Sequence, residues 1–185
     1  MAVSVRPATE ADFADILALQ NDNYIDNVAV EDRGEGFVST PFSLELLEEL
    51  EFSNRFYIAR DEATGAMAGY VFTGSWRFCA RWPAFEIAIA RFPIQWKGQP
   101  VEVDDTFQYG PVCVARDYRG QGVLPLLFDA VKVAMRDDFA VGTTWINAAN
   151  GRSMNAHVNK LGLAPLDEWQ WQDKNFVLLG FETRG

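Results

Sequence analysis

The chain has 185 residues, 49% apolar and 23% charged, with 16 basic against 26 acidic side chains and a formal net charge of −10. That is about one domain's length with an ordinary soluble composition, which excludes a disordered, collagen-like or coiled-coil chain. The basic residues are scattered singly, so there is no stripe for nucleic acid or an anionic membrane, and no run of about 18 apolar residues offers a transmembrane helix.

The opening MAVSVRPATEADF lacks a basic segment followed by an apolar one, so no secretory signal is read there and a cytoplasmic protein is expected. Val3 to Val5 predicts a short strand. Thr9, followed by Glu10 and Asp12, has the pattern of a capping box, and Phe13, Ile16 and Leu17 continue at helical spacing, so a helix is expected to about Asn21. Asn23 to Ser39 reads as loop. Thr40 and Pro41 look like the cap and first-turn proline of a second helix, with Leu44, Leu47 and Leu50 as its apolar face. Phe56 to Ala59 and Met67 to Thr73 predict a hairpin. Trp76 to Phe92 is rich in aromatic residues, with Pro83 able to start a helix, and Ile94 to Asp105 reads as loop or a short hairpin.

Phe107 to Val114 predicts a strand interrupted by Gly110-Pro111, since proline cannot donate to a ladder. Leu124 to Arg136 is read as a helix with Leu127, Val131 and Ala134 on one face. Thr143 to Ala148 predicts a strand, Ser153 to Leu161 a helix closed by Gly162, and Leu166 to Gln172 with Asn175 to Glu182 a final antiparallel pair. Cys79 and Cys113 read as reduced core residues. His157 is the single histidine, so a zinc site of Cys and His lacks ligands, and no metal is expected.

The segment Val112–Leu127, VCVARDYRGQGVLPLL, carries the chemistry. It runs from a strand through a glycine-containing turn into a helix. Gly120 and Gly122 let the backbone approach a ligand, and the helix start presents unpaired N–H groups and a positive dipole end, which suits phosphate. Arg116 and Arg119 add charge. A Walker loop would need Gly-Lys-Ser/Thr, which is absent. A dinucleotide fingerprint would want a third small residue where Pro125 stands.

The segment resembles motif A of the GNAT superfamily of N-acetyltransferases, Gln/Arg-x-x-Gly-x-Gly/Ala after a strand. Arg119-Gly-Gln-Gly122-Val-Leu124 matches except at the last position, where Leu124 stands for Gly or Ala. SVRPATEADF resembles the first strand and helix of that family, Phe56–Thr73 its second and third strands, and Thr143–Leu163 its fifth strand and following helix. The span from Asn150 to Gly162 is one residue longer than usual, and residues 76–105 have no counterpart, which suggests an aromatic-rich insertion.

The resemblance implies a single-domain α/β fold over 1–185. A central mixed, mostly antiparallel sheet of six to seven strands would be flanked by helices. It implies an acyl-CoA-dependent N-acyltransferase, moving acetyl from acetyl-CoA to a primary amine by direct attack. The diphosphate would sit on Arg119, Gly120, Gln121, Gly122, Val123 and Leu124. The pantetheine arm would bond the backbone of Cys113 and Val114 beside a bulge at Gly110-Pro111, with Asn150 or Asn155 supplying a side-chain bond.

The family's usual proton-donating Tyr falls near Val158, which cannot donate. Tyr109 and His157 are the substitutes named for catalysis, with Glu86 a less direct choice of base. Each also reads as a packed residue, and Cys113 reads as a core residue before a nucleophile. Trp76, Trp82, Phe85 and Trp96 read as packing or as walls of an acceptor pocket. Asp26, Glu31, Asp32 and Glu35 are a solvated run or a hold for a cationic amine. The alternative reading is a GNAT-like domain that binds CoA without catalysis, as a sensor or interaction protein. A weaker one is a nucleotide-binding protein using the same turn. Expected partners are a small-molecule or peptide amine, with no nucleic acid and no membrane, and the insertion offers a surface for a homodimer.

Overall fold

Alternating and continuous apolar runs form nine strands among the described residues of the protein, whose structure is a computed structural model. They are β1 (Val3–Pro7), β2 (Phe56–Asp61), β3 (Met67–Gly74), β4 (Ile94–Trp96), β5 (Gln99–Val101), β6 (Thr106–Val114), β7 (Val141–Asn147), β8 (Ala164–Trp171) and β9 (Lys174–Glu182). The structure describes residues 2–51 and 56–184, and the side chains of all of these except 50 and 51. Seven strands form one sheet in hydrogen-bonding order β1-β2-β3-β6-β7-β9-β8, and β4-β5 is a separate hairpin. β6 and β7 are parallel, whereas the β1-β2, β2-β3, β7-β9 and β8-β9 pairs are antiparallel. The helices are α1 (Phe13–Asn23), α2 (Leu44–Glu51), α3 (Trp76–Cys79), α4 (Pro83–Ile89), α5 (Val123–Met135) and α6 (Gly151–Met154), the last continuing as a π-helical turn over Asn155–Lys160. None is long and apolar enough to cross a membrane.

The chain divides into two compact units. The first comprises Met1–Asp32, Phe37–Thr73 and Gly110–Ala134. Its Thr9 capping box is present: the Thr9 N–H and hydroxyl both donate to Asp12 Oδ2 at 2.9 Å, and a 3₁₀ turn runs into α1. Gln20 ties α1 to the segment before α2 by a reciprocal pair, Nε2 to Phe42 O at 3.0 Å and Phe42 N to Oε1 at 2.7 Å. Phe42 then meets Phe56 and Phe72 edge-on at 5.5 and 5.3 Å. Burying each such ring is worth about 1.5–3 kcal/mol. Thr40 and Pro41 do not start α2. The helix begins at Leu44, and Ser43 Oγ accepts from Leu46 N. On its predicted apolar face Leu47 is buried but Leu44 is exposed, and the Leu50 side chain lies outside the described residues. In α5 the buried positions are Val123, Leu127, Phe128, Val131 and Met135. Ala134 is exposed, because the stripe at spacing four from Leu127 passes through Val131 to Met135.

The second unit comprises Arg33–Gly36, Gly74–Tyr109 and Met135–Gly185. The aromatic segment 76–105 folds as α3, α4 and the β4-β5 hairpin, with Pro83 at the start of α4 as its fixed φ favours. Trp76 is fully buried and its indole N–H donates to Thr106 Oγ1 at 2.9 Å. β8 and β9 turn through Gln172 and Asp173 alone, both at positive φ (48° and 59°), the conformation a two-residue hairpin requires. The helix predicted from Ser153 starts two residues earlier, at Gly151, because Asn150 caps it through Oδ1 to Ser153 N at 3.1 Å.

Candidate functional site

In the first unit β6 ends at Val114 and the chain makes a 3₁₀ turn over Arg116–Tyr118 before the glycine-containing loop and α5. The loop is held from both sides. Tyr118 donates its hydroxyl to Asp61 Oδ2 at 3.1 Å, and Gln121 Nε2 donates to Asp117 O at 2.5 Å. Arg119 is half-buried. It donates Nε to Val114 O at 3.0 Å and Nη2 to Asn23 Oδ1 at 2.7 Å. Its guanidinium therefore spans the loop from strand end to α1, and its structural work is to fix the loop.

Gly120 and Gly122 have φ of 78° and 86°, a region that costs an L residue about 1–2 kcal/mol. A Cβ at either position would meet no atom within 4 Å, so the surface above the loop is open. Backbone conformation, more than crowding, requires glycine here. α5 follows directly, with Val123 buried and Leu124 half-buried. Its first-turn N–H groups lack intrahelical partners, as at any helix start. Loop and helix end together can hold an anion through backbone donors and the helix dipole.

Cys113 and Val114 close β6. The strand lies tight against β3: a Cβ on Gly69 would come within 2.7 Å of Cys113 O. Cys113 is buried, and burial pushes its thiol up to about 12, so at neutral pH it is a protonated core group. Tyr70, beside it on β3, is also fully buried. Its hydroxyl has no hydrogen-bond partner among the described residues, a feature the alternation of the sequence does not reveal.

The remaining candidates lie in the second unit. Asn150 is buried as the cap of α6, and Asn155 Oδ1 accepts from Asn159 Nδ2 at 2.8 Å across one turn. His157 and Tyr109 are brought together, with ring centroids 5.7 Å apart edge to face, and both are buried. Ser153 O accepts from His157 Nδ1 at 2.8 Å, which places the proton on Nδ1. Burial holds the imidazole below its ordinary pKa, so it is neutral, and burial drives the Tyr109 phenol above its own. Asn155–Lys160 forms a π-helical turn, wider than an α-helical one, with Leu161 N bonding Ala156 O at 3.1 Å. Glu86 is exposed on α4. Among the described residues no group of three or more Cys, His, Asp or Glu is placed to hold a metal.

No family profile and no curated protein matches the sequence. Solved structures do match. An N-acetyltransferase from Staphylococcus aureus Mu50 superposes with a TM-score of 0.67 at 18% identity, over 100% of both chains. The protein yncA from Salmonella typhimurium, solved with its cofactor acetyl-CoA, gives 0.66 at 18% identity, over 99% of this chain and 95% of its own. The ribosomal-protein-S18-alanine N-acetyltransferase from Escherichia coli gives 0.62 at 12% identity, over 98% and 94%. Over nearly its whole length this chain shares the fold of these N-acetyltransferase structures, that of the GNAT superfamily.

Proposed function

We propose that the protein is an acyl-CoA-dependent N-acyltransferase that transfers acetyl from acetyl-CoA to a primary amine. The observation that carries this reading is the Arg119–Gly122 loop. Two positive-φ glycines, an open surface and a braced arginine lead straight into the start of α5, in a fold whose neighbours include one solved with acetyl-CoA. Acetyl-CoA supplies an activated acyl group as a thioester. The chain's own part begins with binding. Backbone donors of Gly120, Gln121, Gly122, Val123 and Leu124 take the diphosphate, and Arg119 holds them in place. The backbone of Cys113 and Val114 orients the arm. Leu124 fits this use because its side chain is half-buried and leaves the glycines open.

Asn150 and Asn155 complete the proposed binding set by resemblance, although each also has an internal hydrogen bond to make. Tyr109 and His157 are the proposed proton-handling groups. Their burial in a neutral pair is also what favours the second reading, a domain of this fold that binds CoA without turnover.

Thermal unfolding with acetyl-CoA, CoA, ATP and NAD tests the binding claim. A ligand at about 100 times its Kd adds about 2.7 kcal/mol, a shift of several degrees at this size. Shifts with acetyl-CoA and CoA alone are expected. Acyl transfer across a panel of amines, followed as CoA release, then separates enzyme from sensor. Binding with no turnover on any amine selects the second reading.

A further inference from the structure

The buried polar atoms of the second unit that have no hydrogen-bond partner among the described residues include Gln108 Oε1 and Trp145 Nε1. Gln108 is 3% exposed. Its amide orientation is set by Tyr109 O, which can only accept and takes Gln108 Nε2 at 2.9 Å, so Oε1 is the atom left over. The parallel register pairs Gln108 with Thr143, which puts both side chains on one face of the sheet. Trp145, two residues on, shares that face. The other polar groups there are satisfied. Thr143 donates to Phe107 O at 3.1 Å, and Thr106 accepts from Trp76 and donates to Val103 O. One face thus carries an acceptor lacking a donor and a donor lacking an acceptor. Buried groups of this kind are costly unless something completes them.

The surroundings are aromatic. Phe176, Phe85 and Trp169 stand 5.0, 5.1 and 6.0 Å from the Trp145 ring. Trp145 and Trp169 are half-buried, so the cluster reaches the surface. We propose that this face binds an α-amino amide with an aromatic side chain. Its amino group donates to Gln108 Oε1, its carbonyl oxygen accepts from Trp145 Nε1, and its ring packs among Phe85, Trp169 and Phe176. A donor and an acceptor on one apolar body match the two orphaned atoms and their aromatic walls together. A polyamine offers no acceptor, and a sugar amine offers no aromatic ring. The inference rests on the acyltransferase reading only in naming this ligand the acyl acceptor.

Calorimetric titration of the full chain tests it with L-phenylalaninamide, with phenethylamine, which lacks the carbonyl, and with 3-phenylpropanamide, which lacks the amino group. Phenylalaninamide is expected to bind, and each analogue to lose about tenfold or more in affinity, as when a site built for a polar group meets a ligand lacking it. Trp145→Phe removes the indole N–H and is expected to abolish the preference over phenethylamine while keeping that over 3-phenylpropanamide. Gln108→Met is expected to do the reverse. If that variant does not fold, Trp145→Phe carries the test alone. Absence of phenylalaninamide binding, equal binding of all three compounds, or preferences unmoved by either variant would overturn the proposal and leave the two atoms to an internal water. A parallel acetyl-CoA titration keeps the two failures apart. Acetyl-CoA binding without amide binding sinks this inference alone, and loss of acetyl-CoA binding sinks the reading it draws on.

Discussion

Asp12 shows how one buried charge is kept. It is 1% exposed and takes bonds from Arg6 at 2.7 and 2.9 Å and from Arg60 at 2.8 and 3.2 Å. Burial by itself would raise its pKa. The hydrogen bonds from Arg6, Thr9 and Arg60 outweigh that and hold it well below the usual carboxylate range. A carboxylate depressed on folding stabilises the native state above its unfolded pKa, near 4, and that contribution is lost as pH falls further. Acid titration of stability should therefore show a loss below about pH 4 that Asp12→Asn abolishes, together with a drop of about 2 kcal/mol at pH 7. His157 works in the same direction at higher pH. Its buried, neutral ring binds a proton less readily than in the unfolded chain, so stability should decline as pH falls below about 6.5. In a His157→Gln variant that limb should vanish from the denaturation midpoints. At Gly122 a side chain can find room but not the conformation. Gly122→Ala should cost about 1–2 kcal/mol in thermal unfolding and weaken acetyl-CoA binding severalfold. Arg119→Ala should release the loop and weaken acetyl-CoA binding similarly by calorimetry, since its side chain braces the backbone donors.

Among the elements, α2 and the turn after α6 differ most from what their sequences announce. Thr40-Pro41 carries a cap signature, yet Ser43 makes the bond to the helix, because Phe42 is held between them by Gln20 and the Phe56–Phe72 rings. Packing of one aromatic ring thus moved a helix start by three residues. Ser43→Ala should cost about 0.5–1 kcal/mol in chemical denaturation and Thr40→Ala almost nothing. After Asn150 the helix widens into a π-helical turn over Asn155–Lys160. Leu163 still closes the element, its N–H bonding His157 O at 3.0 Å. The β8–β9 hairpin turns on Gln172-Asp173 without glycine. Its register is anchored instead by aromatic cross-strand packing such as Trp169 on Phe176, 5.8 Å apart and stacked.

For the whole molecule, the decisive measurement is turnover against binding. Tyr109→Phe keeps the ring that packs on His157 and Phe181 and removes only the hydroxyl. If the phenol handles a proton, the variant should bind acetyl-CoA normally and lose at least about tenfold in kcat. A purely packed role predicts unchanged kcat. The sequence alone carried the GNAT resemblance, the strand-turn-helix order, the two glycines that permit positive φ and the capping box at Thr9. All of these are local, set by residues within a few positions of one another. What only the tertiary structure decided was set by partners far along the chain. Arg119 was read as part of the diphosphate turn, and its bracing bond to Asn23, 96 residues away, is visible only in the folded chain. Ala134 lost its predicted buried place to Met135. Tyr109 and His157 became neighbours only once β6 and the helical turn after Asn150 were folded together in one unit. Gln108 and Trp145 are unremarkable in sequence. Parallel pairing of β6 with β7 puts them on one face, and burial is what makes their unpaired atoms costly.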